Sequence, residues 1–215
     1  METINAVQTN HMPLDIDRAL AQVTALSSTL ALLRHTGEAL NALSLLAAFN
    51  KGRAAQLPAG DAPALSLSEI FCLAAGSVQA GKKAFTQNQI CDSATQLICC
   101  HPHWAQDPTP ETVRSVTLPV YSRLVRDGHS DEIALQQSLL HILAWRSKSH
   151  WAQDQAQRLL WKGGVLGEGG RRALEALDEA LIARKFTLDG LADLLFITAL
   201  LARLPRGPIF SDATA

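Results

Sequence analysis

One carboxylate stands out in the C-terminal part of this 215-residue chain. Asp193 lies one turn inside the stretch from Leu191 to Leu204, which is otherwise mainly apolar. A carboxylate in such a helix must be paired, neutralised or turned toward a polar cleft, because burying it unpaired costs several kcal/mol. The leucines around it are explained by core packing, so Asp193 is the residue of this stretch that could take part in chemistry.

A second candidate is the polar link Arg146-Ser-Lys148-Ser-His150, which joins two predicted helices. Its cations could contribute to a local basic pocket for phosphates, and the same residues could equally form a solvated turn. Spacing alone defines no catalytic triad of Ser/His/Asp or Cys/His type, because such triads are recognised by their geometry.

The segment richest in metal-ligand side chains is Cys99-Cys100-His101-Pro102-His103. Adjacent residues on a helix point about 100° apart, so the two thiols do not easily share one ion. No second ligand pair follows at zinc-finger spacing. We therefore expect buried cysteines beside loop histidines.

Glycines crowd residues 163–170, GGVLGEGG. Glycine-rich phosphate loops act between a strand and a helix, and no strand is predicted before these glycines. Helix capping explains them, although backbone N–H groups at the start of the next helix could also attract an anion.

Composition excludes several classes of protein. Hydrophobic residues make up 47% of the chain and charged residues 18%, as in a folded globular protein. The net charge of -1 argues against nucleic-acid binding, which needs an electropositive face. No apolar run reaches the roughly 20 residues of a membrane span, and the N-terminus lacks a secretory signal. We expect a cytoplasmic protein without nucleic-acid or membrane partners, whose four cysteines are reduced.

Apolar residues recur at helical spacing along most of the chain. The pattern predicts a long helix from Leu14 to Leu33, then a helix over 38–49 that is apolar on most faces, as a central helix would be. A capping box, Ser66-x-x-Glu69, starts the next helix. A later helix is predicted to kink at Pro119, the next to be capped by Ser130, and the final helix to be capped by Thr187 or Asp189.

The predicted fold class is all-α, a single-domain bundle of about nine helices. It covers residues 14–205, between a flexible N-terminal segment, 1–13, and a flexible tail, 206–215.

Several motifs in the C-terminal half follow one another in a recognisable order. They are Glu111-Thr-Val-Arg-Ser-Val-Thr-Leu-Pro119, Ser138-Leu-Leu-His-Ile-Leu-Ala144, Gln155-Ala-Gln-Arg-Leu-Leu160, Gly163-Gly164, Ala173-Leu-x-x-Leu-Asp178 and Thr187-Leu-Asp-Gly-Leu-Ala-Asp-Leu-Leu195. Residues 111–204 thereby resemble the C-terminal half of triphosphoribosyl-dephospho-CoA synthases, the all-helical enzymes that serve citrate lyase and malonate decarboxylase. The last motif is similar to the family signature Ser-Pro-Gly-Gly-Ser-Ala-Asp-Leu-Leu. Upstream, Arg34 to Arg53 resembles the family's Gly-x-x-x-Glu helix and Asn-Thr-His-x-Gly loop.

The resemblance implies transfer of the triphosphoribosyl unit of ATP to the ribose 2′-hydroxyl of 3′-dephospho-CoA, with release of adenine. It implies Mg²⁺ as cofactor and a homodimer as one assembly to test. The catalytic carboxylates would be Glu38 and Asp193, with Asp193 also a metal ligand. Contacts with substrate and phosphate would come from Asn50, Gly52, Arg53, Arg146, Lys148, His150 and Gly190.

The chain departs from the family pattern at 145–150. The family's Asp-Asp-Thr-Asn and His-Arg-Gly-Gly motif corresponds there to Trp-Arg-Ser-Lys-Ser-His. Arginine and lysine cannot replace carboxylates as ligands of a hard cation. Two hypotheses follow: a divergent, shortened synthase, or a non-catalytic helical relative that binds a nucleotide or a protein partner.

Overall fold

The computed structural model describes residues 15–37, 40–56, 65–81, 85–100, 103–188 and 190–205, with side chains omitted for 35–37. Every regular element within these ranges is helical, which confirms the predicted all-α fold. The predicted N-terminal segment, 1–13, and the predicted tail, 206–215, lie outside the described residues.

The helices up to residue 100 begin at local caps where the sequence offers them. They are α1 (Ile16–Thr29), α2 (Ala31–Gly37), α3 (Ala42–Arg53), α4 (Leu67–Gly81) and α5 (Gln87–Cys100). The predicted capping box of α4 is confirmed, since Ser66 N–H donates to Glu69 Oε2 at 2.7 Å and Glu69 N–H donates to Ser66 Oγ at 3.2 Å. These reciprocal bonds satisfy N–H groups that the first helical turn leaves free.

The C-terminal half contains the longest continuous helical run. The elements of this half are α6 (Thr109–Thr112), a π-helical turn (Val113–Thr117), α7 (Leu118–Arg126), α8 (Asp131–Arg146), α9 (His150–Trp161), a 3₁₀ turn (Gly164–Leu166), α10 (Gly170–Ala183) and α11 (Leu191–Leu201). The first three form the continuous run. Ser130 caps α8 as predicted, its hydroxyl accepting the Ile133 N–H. The irregularity expected at Pro119 is a π turn directly before it, where Leu118 N–H bonds the Val113 carbonyl. Proline lacks an N–H group, and the wider turn accommodates the interrupted bonding.

The prediction of one long helix from Leu14 to Leu33 is wrong. The chain becomes extended at Leu30, between α1 and α2. The carboxylate of Asp178, on α10, accepts the N–H groups of Ala31 at 2.9 Å and Leu32 at 3.0 Å. It caps α2 in the way that a local aspartate would. The cap comes from a residue 147 positions away, so the local sequence carries no signal for the break.

The central helix is α11. Ten of its eleven residues are buried, and the exception is Asp193. It contacts α1, α2, α4, α7 and α8. The prediction that the helix over 38–49 is central is wrong, because Leu43 and Leu46 of α3 are 79% and 44% exposed. None of the described helices combines the length and apolar character that crossing a bilayer requires.

Two glycines allow α3 and α4 to cross at backbone contact. A Cβ added at Gly52 would collide with the carbonyl oxygen of Leu73, and one added at Gly76 would collide with that of Phe49. The close approach of the two helices therefore requires glycine at both positions. The beginning of α4 lies near the start of α11, where the Ser68 N–H donates to Asp193 Oδ1.

Candidate active site

A cleft of about 290 Å³ opens where the start of α11 meets the end of α8. We call it the Asp193 cleft, lined by Leu67, Trp104, Asp107, Arg146, Lys148, Phe186, Thr187, Leu188, Gly190 and Asp193. Two larger grooves, of about 410 and 400 Å³, lie beside α5 and between α9 and α10. We assign the site to the smaller cleft because it brings together four of the residues that the sequence predicted: Arg146, Lys148, Gly190 and Asp193.

The backbone at the start of α11 directs Asp193 into the cleft. Gly190 is the N-cap residue, with φ of 77°, and no side chain of the described residues caps this helix. The prediction that Thr187 or Asp189 caps it is therefore wrong for Thr187, and Asp189 lies outside the described residues. Glycine adopts this left-handed conformation without steric cost. Asp193 follows in the first turn of α11.

Asp193 is held at the beginning of α4. Its Oδ1 accepts the backbone N–H of Ser68 at 3.1 Å. Burial is the main cause that raises the pKa of Asp193, and the carboxylates of Glu69 and Asp107 add to it, while hydrogen bonding by Ser68 opposes the rise. No cation among the described residues lies within ion-pair distance of Asp193. A carboxylate with a raised pKa in a cleft is suited to accept or release a proton.

Arg146 brings a positive charge to the same cleft. As the last residue of α8, it extends toward the loop before α6, where its Nη1 donates to Thr109 Oγ1 at 2.9 Å and lies 3.5 Å from Asp107 Oδ1. The turn that follows is fixed by Ser147, whose Oγ accepts the Ser149 N–H at 3.1 Å. Lys148 projects from this turn as an exposed residue lining the cleft. Arg146 and Lys148 thus add two cations at one wall.

The described N-terminal residues that the resemblance implied, Asn50, Gly52 and Arg53, do not line the Asp193 cleft. Asn50 and Arg53 are exposed in the last turn of α3, and neither is among the residues that line the Asp193 cleft. Gly52 is buried in the crossing with α4, which explains a glycine there by packing. Glu38 lies outside the described residues. Their roles in binding and catalysis stay predictions.

His150 is the first residue of α9 and is exposed. It belongs to the turn that carries Lys148 but is not among the residues lining the cleft. A contact between His150 and phosphate stays a prediction.

Six of the ten residues that line the cleft were not predicted as site residues, and two of them come from the loop before α6. These two are Trp104 and Asp107, which lie outside the motifs that carry the family resemblance. Trp104 Nε1–H donates to the Leu65 carbonyl at 2.9 Å, and this bond holds the indole against the chain before α4. The sequence signal that could have identified them is a tryptophan and an aspartate in a loop flanked by prolines. Binding residues are often found on loops.

The described residues contain no group of three or more His, Cys, Asp or Glu side chains that could hold a metal ion. In the cleft, Asp107 Oδ1 already accepts donors from Thr109 and Arg146. This donor set does not fit a Mg²⁺ ion held by protein ligands alone. Mg²⁺ is commonly bound by one or two carboxylates together with substrate phosphates, so Asp193 fits at most an ion that arrives with a nucleotide.

The other candidate segments are also accounted for. Cys99 and Cys100 are free and exposed at the end of α5, so the expectation that they are buried is wrong. Gly163 and Gly164 have φ of 97° and 63° and end α9 as predicted. Gly170 packs against the Gly164 carbonyl. The glycine run therefore serves local turns and packing.

Residues 111–209 match the model of the family described as ATP:dephospho-CoA triphosphoribosyl transferase. Over 113 residues the chain is 41% identical to the 2-(5''-triphosphoribosyl)-3'-dephosphocoenzyme-A synthase of Escherichia fergusonii, a match that covers 47% of this chain and 37% of that protein. The synthase of the same name from Klebsiella pneumoniae is 40% identical over 110 residues, covering 46% and 36%. That of Pectobacterium atrosepticum is 31% identical over 175 residues, covering 63% and 56%.

The chain spans between about a third and a little over half of the length of these relatives. No solved structure matches it. Most of the residues that line the Asp193 cleft, from Arg146 to Asp193, fall inside the matched segment. Residues 111–209, a little under half of the chain, are therefore similar to the family of ATP:dephospho-CoA triphosphoribosyl transferases.

Proposed function

We propose that this protein transfers the triphosphoribosyl group of ATP to 3′-dephospho-CoA and releases adenine, and that the Asp193 cleft is where this occurs. The observation that carries the proposal is the convergence of Asp193, Arg146 and Lys148 in one cleft within a segment that matches the family. A volume of about 290 Å³ is at the small end for ligand sites, so the cleft would hold the reacting part of the substrates rather than both molecules.

The reaction requires a proton to move. The ribose 2′-oxygen of dephospho-CoA bonds to C1′ of the ATP ribose, and the bond from C1′ to N9 of adenine breaks with its electron pair going to adenine. The hydroxyl proton must be accepted and adenine must gain one proton, so the net change moves one proton from the hydroxyl to adenine. We assign the acceptance of the hydroxyl proton to Asp193. Its raised pKa makes its carboxylate a stronger base than that of an ordinary aspartate. Glu38 is proposed as the second carboxylate.

The phosphate chain requires positive charge. We assign it to Arg146 and Lys148, since charge-assisted hydrogen bonds to phosphate are about twice as strong as neutral ones. Gly190 leaves the cleft wall without a side chain beside Asp193. Further contacts are proposed from Asn50, Gly52, Arg53 and His150. Mg²⁺ is proposed to arrive on the triphosphate, with Asp193 as its protein ligand.

Finer assignments belong to the same proposal. The product would be the prosthetic-group precursor of a citrate lyase or a malonate decarboxylase, made in the cytoplasm. A homodimer is proposed as an assembly to be tested by analytical ultracentrifugation.

Release of adenine tests the function directly. Purified protein is incubated with ATP, Mg²⁺ and dephospho-CoA, and free adenine is quantified by chromatography. We expect Asp193→Asn to lower the rate by about 100-fold or more, the usual cost of losing a general base. Asp154→Asn, an exposed aspartate on α9, is the matched control and should retain full activity.

A second comparison tests the phosphate contact. Arg146→Ala should raise the KM for ATP, whereas Arg126→Ala, which removes an exposed arginine at the end of α7, should not. No adenine from the wild-type protein would overturn the proposed transfer. A thermal shift with ATP and dephospho-CoA but no adenine would instead support a binding protein.

A further inference from the structure

The arginine of the Asp193 cleft is not a free surface cation. Arg146 and Asp107 have only 19% and 14% of their side chains exposed. A single guanidinium nitrogen, Nη1, contacts both Thr109 Oγ1 and Asp107 Oδ1. The side chain is therefore held by the loop before α6, although its backbone belongs to the end of α8.

The partner residues of Arg146 are themselves fixed. Asp107 Oδ1 accepts the Thr109 N–H at 2.7 Å and also the Thr109 hydroxyl. The Asp107 N–H donates to the Trp104 carbonyl at 2.7 Å. Thr109 is fully buried. Because each acceptor is held by the backbone of the same loop, the guanidinium has little freedom to change its orientation.

The remaining donors of Arg146 are available to a ligand. A guanidinium carries five N–H donors, and among the described residues only Nη1 has a hydrogen-bond partner. Arg146 lines the cleft, so Nε and Nη2 remain for an occupant. A planar guanidinium binds phosphate oxygens through two parallel bonds, an arrangement that depends on its orientation.

We propose that Asp107 and Thr109 are positioning residues that hold Arg146 in the orientation in which it binds a phosphate chain. The identity of that chain as part of ATP rests on the proposed function, whereas the binding of an anion does not. Fixing a long side chain before binding avoids an entropic cost that corresponds to roughly three- to tenfold in affinity.

The direction in which Asp107→Ala changes the affinity for an anion distinguishes a positioning role from a purely electrostatic one. Removing a carboxylate beside an anion site strengthens anion binding by Coulomb's law. If Asp107 instead acts through Arg146, Asp107→Ala weakens the binding of tripolyphosphate, by roughly three- to tenfold. Thr109→Val should weaken it in the same direction without any change of charge, and Thr109→Ser, which restores the hydroxyl, should recover most of the loss.

The experiment is titration calorimetry of inorganic tripolyphosphate into the full chain, without dephospho-CoA, and with the thermal midpoint of each variant recorded. In an Arg146→Ala background, Asp107→Ala should cause no further weakening. Tighter binding by Asp107→Ala, additive losses in the double variant, or no binding by the wild-type chain would each overturn the proposal. Binding that follows this pattern without adenine release would uphold it while the proposed transfer fails.

Discussion

At the scale of single residues, Asp193 differs from its surroundings. It is the one residue of α11 that is only partly buried, and it accepts a backbone N–H at the beginning of α4. That bond is the pairing the sequence required of a carboxylate in an apolar helix. The acid is nonetheless destabilised in its charged form, because desolvation is the largest contribution to its pKa. The partial burial that favours Asp193 as a base therefore also lowers the stability of the protein when the carboxylate is charged.

The stability of the protein should depend on the titration of Asp193. Because its pKa is raised by folding, the folded protein binds the proton more tightly than the unfolded chain. This contribution is fully present below the ordinary pKa of aspartate, about 4, and is lost as pH rises through the folded-state pKa. Asp193→Asn keeps an acceptor for the Ser68 N–H and does not titrate. The unfolding free energy of this variant should therefore fall less than that of the wild-type protein as pH rises from about 4 through the folded-state pKa.

Urea denaturation at a series of pH values from about 4 to 7 measures this effect. Asp154→Asn provides the reference for the loss of one exposed carboxylate. Identical pH profiles for the wild-type protein and Asp193→Asn would show that Asp193 is not desolvated in the folded chain.

At the scale of the helices, predictions succeeded where the determining contact is local. The capping box at Ser66 and Glu69 and the cap at Ser130 each bond a backbone group three residues away. The break at Leu30 was missed because its cap, Asp178, is supplied by α10. A carboxylate on another helix has no periodic signature in the segment that it caps.

The crossing of α3 and α4 leads to a prediction about Gly76. Gly76→Ala should destabilise the protein by about 2–3 kcal/mol, because the added methyl meets the backbone of Phe49 and the helices must separate. Gly81→Ala, at the end of the same helix, meets no atom within 4 Å. It should be neutral, or stabilising by up to about 1 kcal/mol through the unfolded state.

Both variants are compared by thermal and urea unfolding. Equal stability of the two would mean that the helices do not cross at backbone contact. A loss of stability in Gly76→Ala with unchanged tripolyphosphate binding would show that the crossing supports the fold rather than the Asp193 cleft.

At the scale of the whole molecule, the four cysteines divide by depth. Cys72 and Cys91 are buried, whereas Cys99 and Cys100 are exposed. Burial raises the pKa of Cys91 to about 11, so its thiolate is scarce at neutral pH. The pKa of Cys72 is raised still further, mainly by burial.

An alkylating reagent should therefore modify two thiols rapidly and two slowly. Because the thiolate is the reactive form and must also be accessible, Cys72 and Cys91 should react only when the core opens. Iodoacetamide labelling followed by mass spectrometry gives the rate at each site. In a Cys99→Ser/Cys100→Ser variant the fast phase should disappear, and rapid labelling of Cys72 in that variant would contradict a cooperative core.

The sequence by itself determined the helical class, the starts of α4 and α8, and the similarity to the transferase family. These depend on apolar spacing, on caps within three residues and on motifs such as Ala192-Asp-Leu-Leu195, all of which are local. Only the tertiary structure decided which helix is central and where α2 begins. It also showed that Trp104 and Asp107, from a loop outside the matched segment, complete the cleft around Asp193. Contacts between distant parts of the chain depend on packing, and periodicity within one helix does not specify its partner.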